Sequence, residues 1–171
     1  FCKNFYYDKS WKIGTNISNL GNPDCLDWTF NKIKTVLDET GVDLYREDFN
    51  TNPAENWHKA DLAEGLFRAG ITENKYVQGH LALWDRIIAY CAETGRSTII
   101  DSCASGGRRN DLETMRRAVP FLRSDADRYT PETRLSVTTT FMKWIPCNGT
   151  NMLAPFGADT AATKYLSRVS F

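Results

Sequence analysis

The chain has 171 residues, and its 21 basic and 21 acidic side chains give a formal net charge of zero at pH 7. That balance offers no sign of a nucleic-acid or anionic-membrane partner, and we expect neither. An apolar content of 42% is typical of an ordinary globular domain. No apolar stretch approaches the ~20 residues that a membrane span needs.

The first predicted helix begins after Asn22, because asparagine caps helices and Pro23 suits the first helical position. Gly41 is expected to end this helix, and a short strand is predicted at 42–45. Between these limits, apolar residues recur at helical spacing and predict a core-facing stripe. The stripe consists of Leu26, Phe30, Ile33 and Leu37.

The order of helix then strand recurs three times further along the chain. A second helix is followed by a strand at 97–100, a shorter helix at 111–118 by a strand at 119–122, and a fourth helix at about 130–141 by apolar residues 144–146. The apolar face predicted for the second helix consists of Val77, Leu81, Trp84, Ile88 and Cys91.

Alternating helices and strands predict an α/β fold with a parallel sheet and crossover helices. Polar turns follow three consecutive strands, at 46–50, 101–105 and 123–125. Functional residues at several successive strand ends favour a (β/α)8 TIM barrel over a doubly wound sheet. Since a whole barrel takes ~250 residues, about four helix–strand units predict a partial barrel, truncated at both ends. The polar segment 51–74 is predicted to be a long active-site loop.

Five cysteines are scattered along the chain without a Cys-x-x-Cys pair, so a zinc site is not predicted. Buried free thiols in a reducing compartment are the favoured interpretation, and this slightly favours a cytoplasmic over a secreted location. Two N-glycosylation triplets, at 16–18 and 148–150, leave the compartment open.

Glycosidic hydrolysis needs two carboxyl groups, one to protonate the leaving oxygen and one to attack the anomeric carbon or activate water. Asp48 and Asp125 follow two predicted strands with one strand between them, so in a barrel both fall on the same rim. Taken alone the pair is weak evidence, because 21 acidic residues are available.

The surrounding motifs strengthen this interpretation. In order and spacing they resemble those of the family 36 glycoside hydrolases, the melibiase-type α-galactosidases and α-N-acetylgalactosaminidases. These motifs lie at 43–50 (Asp-Leu-Tyr-Arg-Glu-Asp-Phe-Asn), 99–113, 121–125, 19–23 and 76–85. The resemblance covers roughly 12–170 and implies that residues 1–171 are a single segment of a (β/α)8 catalytic domain.

The resemblance implies a retaining mechanism that needs no metal or organic cofactor. Asp48 would be the nucleophile that forms a covalent glycosyl-enzyme, and Asp125 the acid/base. Arg46 falls where the family places a basic residue that hydrogen-bonds the sugar hydroxyls, and Cys103 would lie against C2 of the sugar. The implied substrate-binding set is Arg46, Asn50, Cys103, Ser105, Gly106 and Arg108.

Two departures from the family pattern leave the specificity open. Many of these enzymes have Cys-Ser-Gly-Gly-Gly-Arg where this chain has Ala104 and Ser105 before the glycines, so a hydroxyl and an acetamido group at C2 both remain possible. Leu122 replaces a common tryptophan. The expected partner is an oligosaccharide or glycoconjugate, and a homo-oligomer is an open expectation for the full-length enzyme. A sugar-binding module or a catalytically inactive barrel fragment is the alternative function.

Five residues each have both a functional and a structural interpretation. Gly106 is favoured as part of a tight turn over direct ligand contact, whereas Arg108 is equally expected to bind a carboxylate or brace its loop. Trp57 is equally expected to stack on a sugar or to pack its loop. His80 is expected to be structural. Asp127 forms an Asp-x-Asp motif with Asp125, and a metal role for it is disfavoured because no nucleotide-binding signature accompanies it.

Overall fold

A computed structural model gives a mixed α/β fold. It describes residues 11–14, 17–128, 131–145, 147–149 and 161. In chain order the elements are β1 Lys12–Ile13, β2 Ile17–Ser18, α1 Pro23–Thr40, β3 Leu44–Asp48, α2 Ala54–Glu64, α3 Ile71–Glu93, β4 Ile99–Cys103, α4 Leu112–Met115, a 3-10 helix Asp125–Arg128 and α5 Pro131–Phe141. The chain divides into two units, one formed by 1–43 and 51–98 and the other by 44–50 and 99–171.

The limits predicted for α1 are confirmed. The side chain of Asn22 accepts the backbone N–H groups of Asp24 at 2.9 Å and Cys25 at 3.4 Å. At the other end, Gly41 adopts the left-handed φ of 66° and donates its N–H to Leu37. Of the predicted stripe only Leu37 is buried, since its other members are partly exposed.

The long helix α3 is confirmed, but of the face predicted to be buried only Trp84 and Cys91 are buried. Val77 and Ile88 are 43% and 37% exposed. The helix packs at Gly79, where any side chain would collide with the carbonyl of Leu20. The side chains that face the core lie on the same side of the helix as this close approach. The buried set is Tyr76, Gly79, His80, Leu83, Trp84, Ile87 and Cys91.

The prediction of a long loop at 51–74 is wrong, because residues 54–64 form α2 and α3 already begins at Ile71. An ion pair of 2.6 Å between Glu55 and Lys59 lies along this helix at i,i+4 spacing. Asp61, only 2% exposed, accepts hydrogen bonds from Gly70 at 2.8 Å and from both the N–H and the hydroxyl of Thr72. These bonds tie the end of α2 to the start of α3.

In the second unit β3 and β4 pair in parallel, with Leu44 opposite Ile99 and Asp48 opposite Cys103. The parallel sheet is confirmed, and both strands lie slightly further along the chain than predicted. The strand predicted at 119–122 is wrong. Val119 forms only one parallel bridge, and the next residue is a proline, which cannot donate to a ladder.

The remaining predicted elements are confirmed in part. The helix predicted at 111–118 is a single turn, α4, capped by the carboxylate of Asp111. The prediction for α5 is confirmed, and Trp144 lies in the turn that follows it. No strand is present at 144–145, and Pro146 lies outside the described residues. Four predicted helix–strand units therefore correspond to two paired strands and one bridge within the described residues.

Candidate active site

The parallel register brings polar residues of β3 and β4 onto one face of the sheet. Alternate residues of a strand point to the same side, and directly opposed residues of parallel strands share that side. Arg46 is opposite Asp101, and Asp48 is opposite Cys103. The C-terminal half of this face is therefore built from a basic, two acidic and one thiol side chain.

Asp48 lies among hydrogen-bond donors at the end of β3. Partial burial raises the pKa of its carboxyl. This rise is outweighed by hydrogen bonds from the Asn50 amide, the Cys103 thiol and the Ser105 N–H, and by the positive charge of Arg46. The net pKa of Asp48 is below its ordinary value. The carboxylate is therefore fully ionised at neutral pH while 39% of the side chain stays exposed to an incoming molecule.

Ser105 completes this arrangement from the turn after β4. Its hydroxyl donates to the amide oxygen of Asn50 at 3.1 Å. Because that oxygen is occupied, the NH2 group of Asn50 is the part of the amide left to face Asp48. Ser105 adopts a positive φ of 47°, which is unusual for a residue with a side chain. Backbone strain of this kind clusters at functional sites.

Cys103 is a buried thiol between the turn and the carboxylate. Burial raises its pKa, the Gly106 N–H that it accepts lowers it, and the hydrogen bond to Asp48 raises it. The raised pKa keeps the thiol protonated, so it acts as a donor to Asp48. Cys25, Cys91 and Cys147 are also free cysteines, and only Cys147 is exposed. The predicted buried thiols are thus confirmed for Cys25, Cys91 and Cys103 but not for Cys147, and Cys2 lies outside the described residues.

Arg46 lies between two carboxylates, those of Asp101 and Asp48. Its Nη1 donates to the buried carboxylate of Asp101, and this bond raises the pKa of the guanidinium. Its Nη2 lies 3.9 Å from Oδ2 of Asp48. Arg46 therefore remains charged and partly exposed beside the carboxylate, as a sugar-binding base would have to be.

Asp125 lies against the same turn as Asp48. A Cβ built on Gly106 would collide with the Asp125 N–H and would lie 3.2 Å from its carboxyl carbon. Gly106 also has a φ of 76°, so a side chain is excluded there by both space and conformation. The turn 103–107 is thus in contact with both aspartates, and the expectation that Gly106 serves a tight turn is confirmed.

The segment before Asp125 is anchored by a buried arginine. Arg123 is 3% exposed and donates to the hydroxyl of Thr138 in α5 at 2.6 Å and to the side-chain oxygen of Asn148 at 3.1 Å. Its backbone N–H bonds to Gly149. The side chain of Asn148 is engaged here, whereas Thr150 of the same glycosylation triplet lies outside the described residues, as does Asn16 of the other triplet.

The neighbouring arginines of the turn have different surroundings. Arg108 is exposed, whereas Arg109 is largely buried and pairs with Glu47 of β3 at 2.7 Å. The guanidinium of Arg109 also lies 4.7 Å from the ring centre of Phe49. Sequence reasoning missed both Arg109 and Asp101, because their partners are set by the register of the strands for Asp101 and by the path of the turn after β4 for Arg109. Motif comparison contains no such signal.

Contacts in the folded chain decide the roles of several single residues. Trp57 packs on Tyr76 with ring centres 5.3 Å apart, which favours packing over sugar stacking. His80 is 5% exposed and its ring centre lies 4.4 Å from that of Trp84, so a structural role is confirmed. The side chain of Asp127 lies outside the described part of the chain. Among the described residues, no group of three His, Cys, Asp or Glu side chains is arranged to hold a metal ion.

The described helices differ from a membrane-spanning helix in length or in apolar character. None of them is both long enough and apolar enough to cross a bilayer.

Together these contacts define an open cluster in which two carboxyl groups meet one glycine-containing turn at the C-terminal end of a parallel strand pair. Comparison with solved structures identifies the fold of this α/β segment. The chain has the fold of a segment of the family 36 glycoside hydrolase α-galactosidases.

Three of these structures are an α-galactosidase of Lactobacillus brevis, the galactosidase domain of an α-galactosidase–sucrose kinase and an α-galactosidase of Geobacillus stearothermophilus. Their TM-scores are 0.67, 0.68 and 0.69 at 20%, 17% and 17% identity. The matches cover 90%, 94% and 96% of this chain, but only 20%, 22% and 23% of the respective neighbour. No family model matches the sequence. No curated protein matches it significantly either.

Proposed function

We propose that the chain is the central segment of a retaining glycosidase that removes terminal α-linked galactose or N-acetylgalactosamine. One observation carries the proposal: the turn 103–107 donates the Ser105 N–H to Asp48 and packs Gly106 against the carboxyl of Asp125. Two carboxyl groups that share one short turn are disposed to act on the same glycosidic bond. We further propose that β3 and β4 are two strands of a (β/α)8 barrel.

In the first step the ionised Asp48 attacks the anomeric carbon while the bond to the leaving oxygen breaks and Asp125 transfers its proton to that oxygen. The product is a covalent glycosyl-aspartate. In the second step Asp125, now a carboxylate, removes a proton from water, and the resulting oxygen displaces Asp48 from the sugar. No metal or organic cofactor takes part in either step.

Several features support a sugar substrate. Arg46 presents a charged, partly exposed guanidinium beside Asp48, where it can donate to sugar hydroxyls. Substituted variants of the Geobacillus stearothermophilus enzyme have been crystallised with stachyose, with raffinose and with 1-deoxygalactonojirimycin. We therefore propose an α-galactoside, free or on a glycoconjugate, as the substrate of this chain. Arg46, Asn50, Cys103, Ser105, Gly106 and Arg108 stay proposed as its substrate-binding residues.

The test uses the natural polypeptide that contains these residues, with 4-nitrophenyl α-galactoside and α-N-acetylgalactosaminide as substrates. We expect Asp48→Asn to lower kcat by about 10³-fold or more, since the nucleophile is lost. An activated fluoro-α-galactoside should add one sugar mass to the peptide that carries Asp48. Asp43→Asn, at the opposite end of the same strand region, is the matched control and should retain wild-type turnover.

The same experiment separates an enzyme from a binding module. Turnover that survives Asp48→Asn would contradict the assignment of the nucleophile. A wild-type protein that binds galactose without hydrolysing any α-galactoside would favour the sugar-binding module, and unchanged affinity of Asp48→Asn would support it.

A further inference from the structure

Asp101 is a buried carboxylate that the proposed mechanism does not use. It lies in the middle of β4 and is 2% exposed. A carboxylate removed from water to this extent is strongly destabilising unless each oxygen has a partner. Its partners are therefore informative about why an acid stands at this position.

The two oxygens of Asp101 bond to two different segments of the chain. Oδ2 accepts from Arg46, the residue directly opposite in the parallel register. Oδ1 accepts the backbone N–H of Phe121 at 3.0 Å. Arg46 lies two residues before Asp48, and Phe121 lies four residues before Asp125.

We propose that Asp101 is a positioning residue whose two oxygens separately fix the segment that carries Asp48 and the segment that carries Asp125. The roles assigned to those two aspartates rest on the proposed function, but the positioning itself is a property of the buried carboxylate. Asp101 competes with Asp48 for Arg46, and thereby keeps the guanidinium 3.9 Å from Asp48 rather than in a direct ion pair.

The charged and titratable groups around Asp48 set the direction of the expected effects. Arg46 on its own strand and the Cys103 thiol on β4 face it directly, Asp101 lies beyond Arg46, and Asp125 lies beyond the 105–106 turn. Removal of the charge of Asp101 takes away a negative neighbour and frees the guanidinium to pair with Asp48. Both changes favour the ionised carboxylate, and the pKa of Asp48 should fall.

Two substitutions separate the two oxygens. Asp101→Asn keeps an oxygen that accepts from Phe121 but loses the negative charge that holds Arg46. Asp101→Ala removes both acceptors. The Asn variant should therefore disturb only the Asp48 side, whereas the Ala variant should disturb the Asp125 side as well.

The kinetic readout uses two galactosides that differ in leaving group. Proton transfer from Asp125 matters most for a poor leaving group, such as the sucrose hydroxyl that raffinose releases. It matters least for 2,4-dinitrophenolate, which leaves without a proton. Asp101→Asn should lower kcat/KM about 10- to 100-fold for both substrates alike, as misplacement near a nucleophile does. Asp101→Ala should lower kcat/KM further for raffinose than for the dinitrophenyl galactoside.

A second readout does not depend on turnover. The carboxyl of Asp48 can be coupled to glycine ethyl ester with a carbodiimide across a pH series, and the labelled peptide quantified by mass spectrometry. The midpoint should move downwards by about half a pH unit or more in Asp101→Asn. Asp61→Asn is the matched control, because Asp61 is equally buried and is hydrogen-bonded only within the α2–α3 connection. It should lower the melting temperature without moving the midpoint.

Each outcome decides the proposal. An unmoved Asp48 midpoint in Asp101→Asn overturns it, and so does an equal loss on both substrates in a folded Asp101→Ala. If Asp101→Ala does not fold, the midpoint in the isosteric Asn variant decides alone. A moved midpoint in a polypeptide whose wild type hydrolyses no galactoside would uphold the positioning role and reject the glycosidase function instead.

Discussion

At the scale of single residues, the environment of Asp48 couples its ionisation to folding. The folded protein lowers the pKa of this carboxyl, so its ionised form contributes stability that is present above the unfolded pKa and is lost as the pH falls through the folded value. We expect wild type and Asp48→Asn to differ most in free energy of unfolding near pH 6 and to converge as the pH falls from about 5 to 2. Urea titrations across this range measure the difference.

A gap that stays constant with pH in those titrations would contradict the lowered pKa. Asp43→Asn is again the control, because Asp43 is exposed and lies outside the donor cluster. Its difference from wild type should remain small at every pH. Because Asp48 is itself partly exposed, the pH-dependent part of the difference in free energy of unfolding should be small. High salt should reduce it further.

A second prediction at this scale concerns Ser105. Two substitutions remove its hydroxyl, but only one of them also relieves the strain of its positive φ. Ser105→Ala loses the bond to Asn50 and keeps the positive φ, whereas Ser105→Gly loses the bond and makes that φ unstrained. We expect Ser105→Ala to destabilise by about 1 kcal/mol. Ser105→Gly should be more stable than Ser105→Ala by about 1 kcal/mol.

Chemical denaturation of the two variants measures this difference directly. Equal stabilities would mean that the strain at Ser105 is no larger than the entropic cost of a glycine there. A glycine variant less stable than the alanine variant would mean that the entropy of the unfolded chain outweighs the strain. Both variants should share the same loss of Asn50 orientation, so their activities should fall together.

Sequence patterns could predict some of these residues and not others. Asp48 does end a strand of the parallel pair, as the polar residues at successive strand ends predicted. The strand expected before Asp125 is only a bridge at Val119, and the catalytic roles of both aspartates stay predictions. Asp101 stood out only as a member of a longer motif, since its importance comes from burial and from the residue opposite it in the register. No spacing along a single chain reveals which arginine a buried acid will meet.

At the scale of secondary-structure elements, the pair Glu47–Arg109 joins the turn after β4 to β3. Its distance is 2.7 Å, and the two side chains are 19% and 16% exposed. The guanidinium also covers the ring of Phe49. Arg109→Lys would keep the charge but lose the planar contact and the fork of donors. We expect a loss of about 1–2 kcal/mol in the free energy of unfolding.

The adjacent Arg108 supplies a matched control for that experiment. It is exposed, and Arg108→Lys should leave the free energy of unfolding within about 0.5 kcal/mol of wild type. Urea denaturation of both variants compares them. If the two lysine variants were equally stable, the Glu47–Arg109 pair would not be a structural brace.

Elements with strong local signals were the ones that sequence could predict. α1 has a capping asparagine, a proline at its first position and a left-handed glycine after its end, so both of its limits are encoded locally. α2 was missed because it has few large apolar residues and is supported by alanines and the Glu55–Lys59 ion pair. The apolar residues at 119–122 favour a strand, but Pro120 has no N–H to donate and the ladder stops after one bridge at Val119.

At the scale of the whole molecule, the face of the strand pair that carries the candidate site is exposed at its N-terminal end. Leu44 and Ile99 lie opposite each other at its N-terminal end and are each 46% exposed. A two-stranded sheet is marginal by itself. The chain spans only about one fifth of the length of the α-galactosidases whose fold it shares. Further strands that cover this face are what the proposed barrel requires, and they would also supply the rest of the sugar-binding surface.

The proposed barrel site predicts the stereochemistry of the product. This prediction depends on both carboxyl groups together and not on either residue alone. If Asp48 is a nucleophile and Asp125 the acid/base, two displacements at the anomeric carbon return the α-configuration. Proton NMR in the first minutes of hydrolysis of an α-galactoside should show α-galactose before mutarotation produces the β-anomer. The carboxyl groups should then lie about 5–5.5 Å apart in the substrate-bound enzyme.

If β-galactose appeared first, the reaction would be a single displacement by water. The two carboxyl groups would then be expected about 6.5–9.5 Å apart, with Asp48 as a base rather than a nucleophile. The donors around Asp48 argue against that outcome, because a base that must accept a proton at neutral pH is poorly served by a lowered pKa. A lowered pKa suits a group that must remain an anion until it bonds to carbon, which is the role that retention assigns to Asp48.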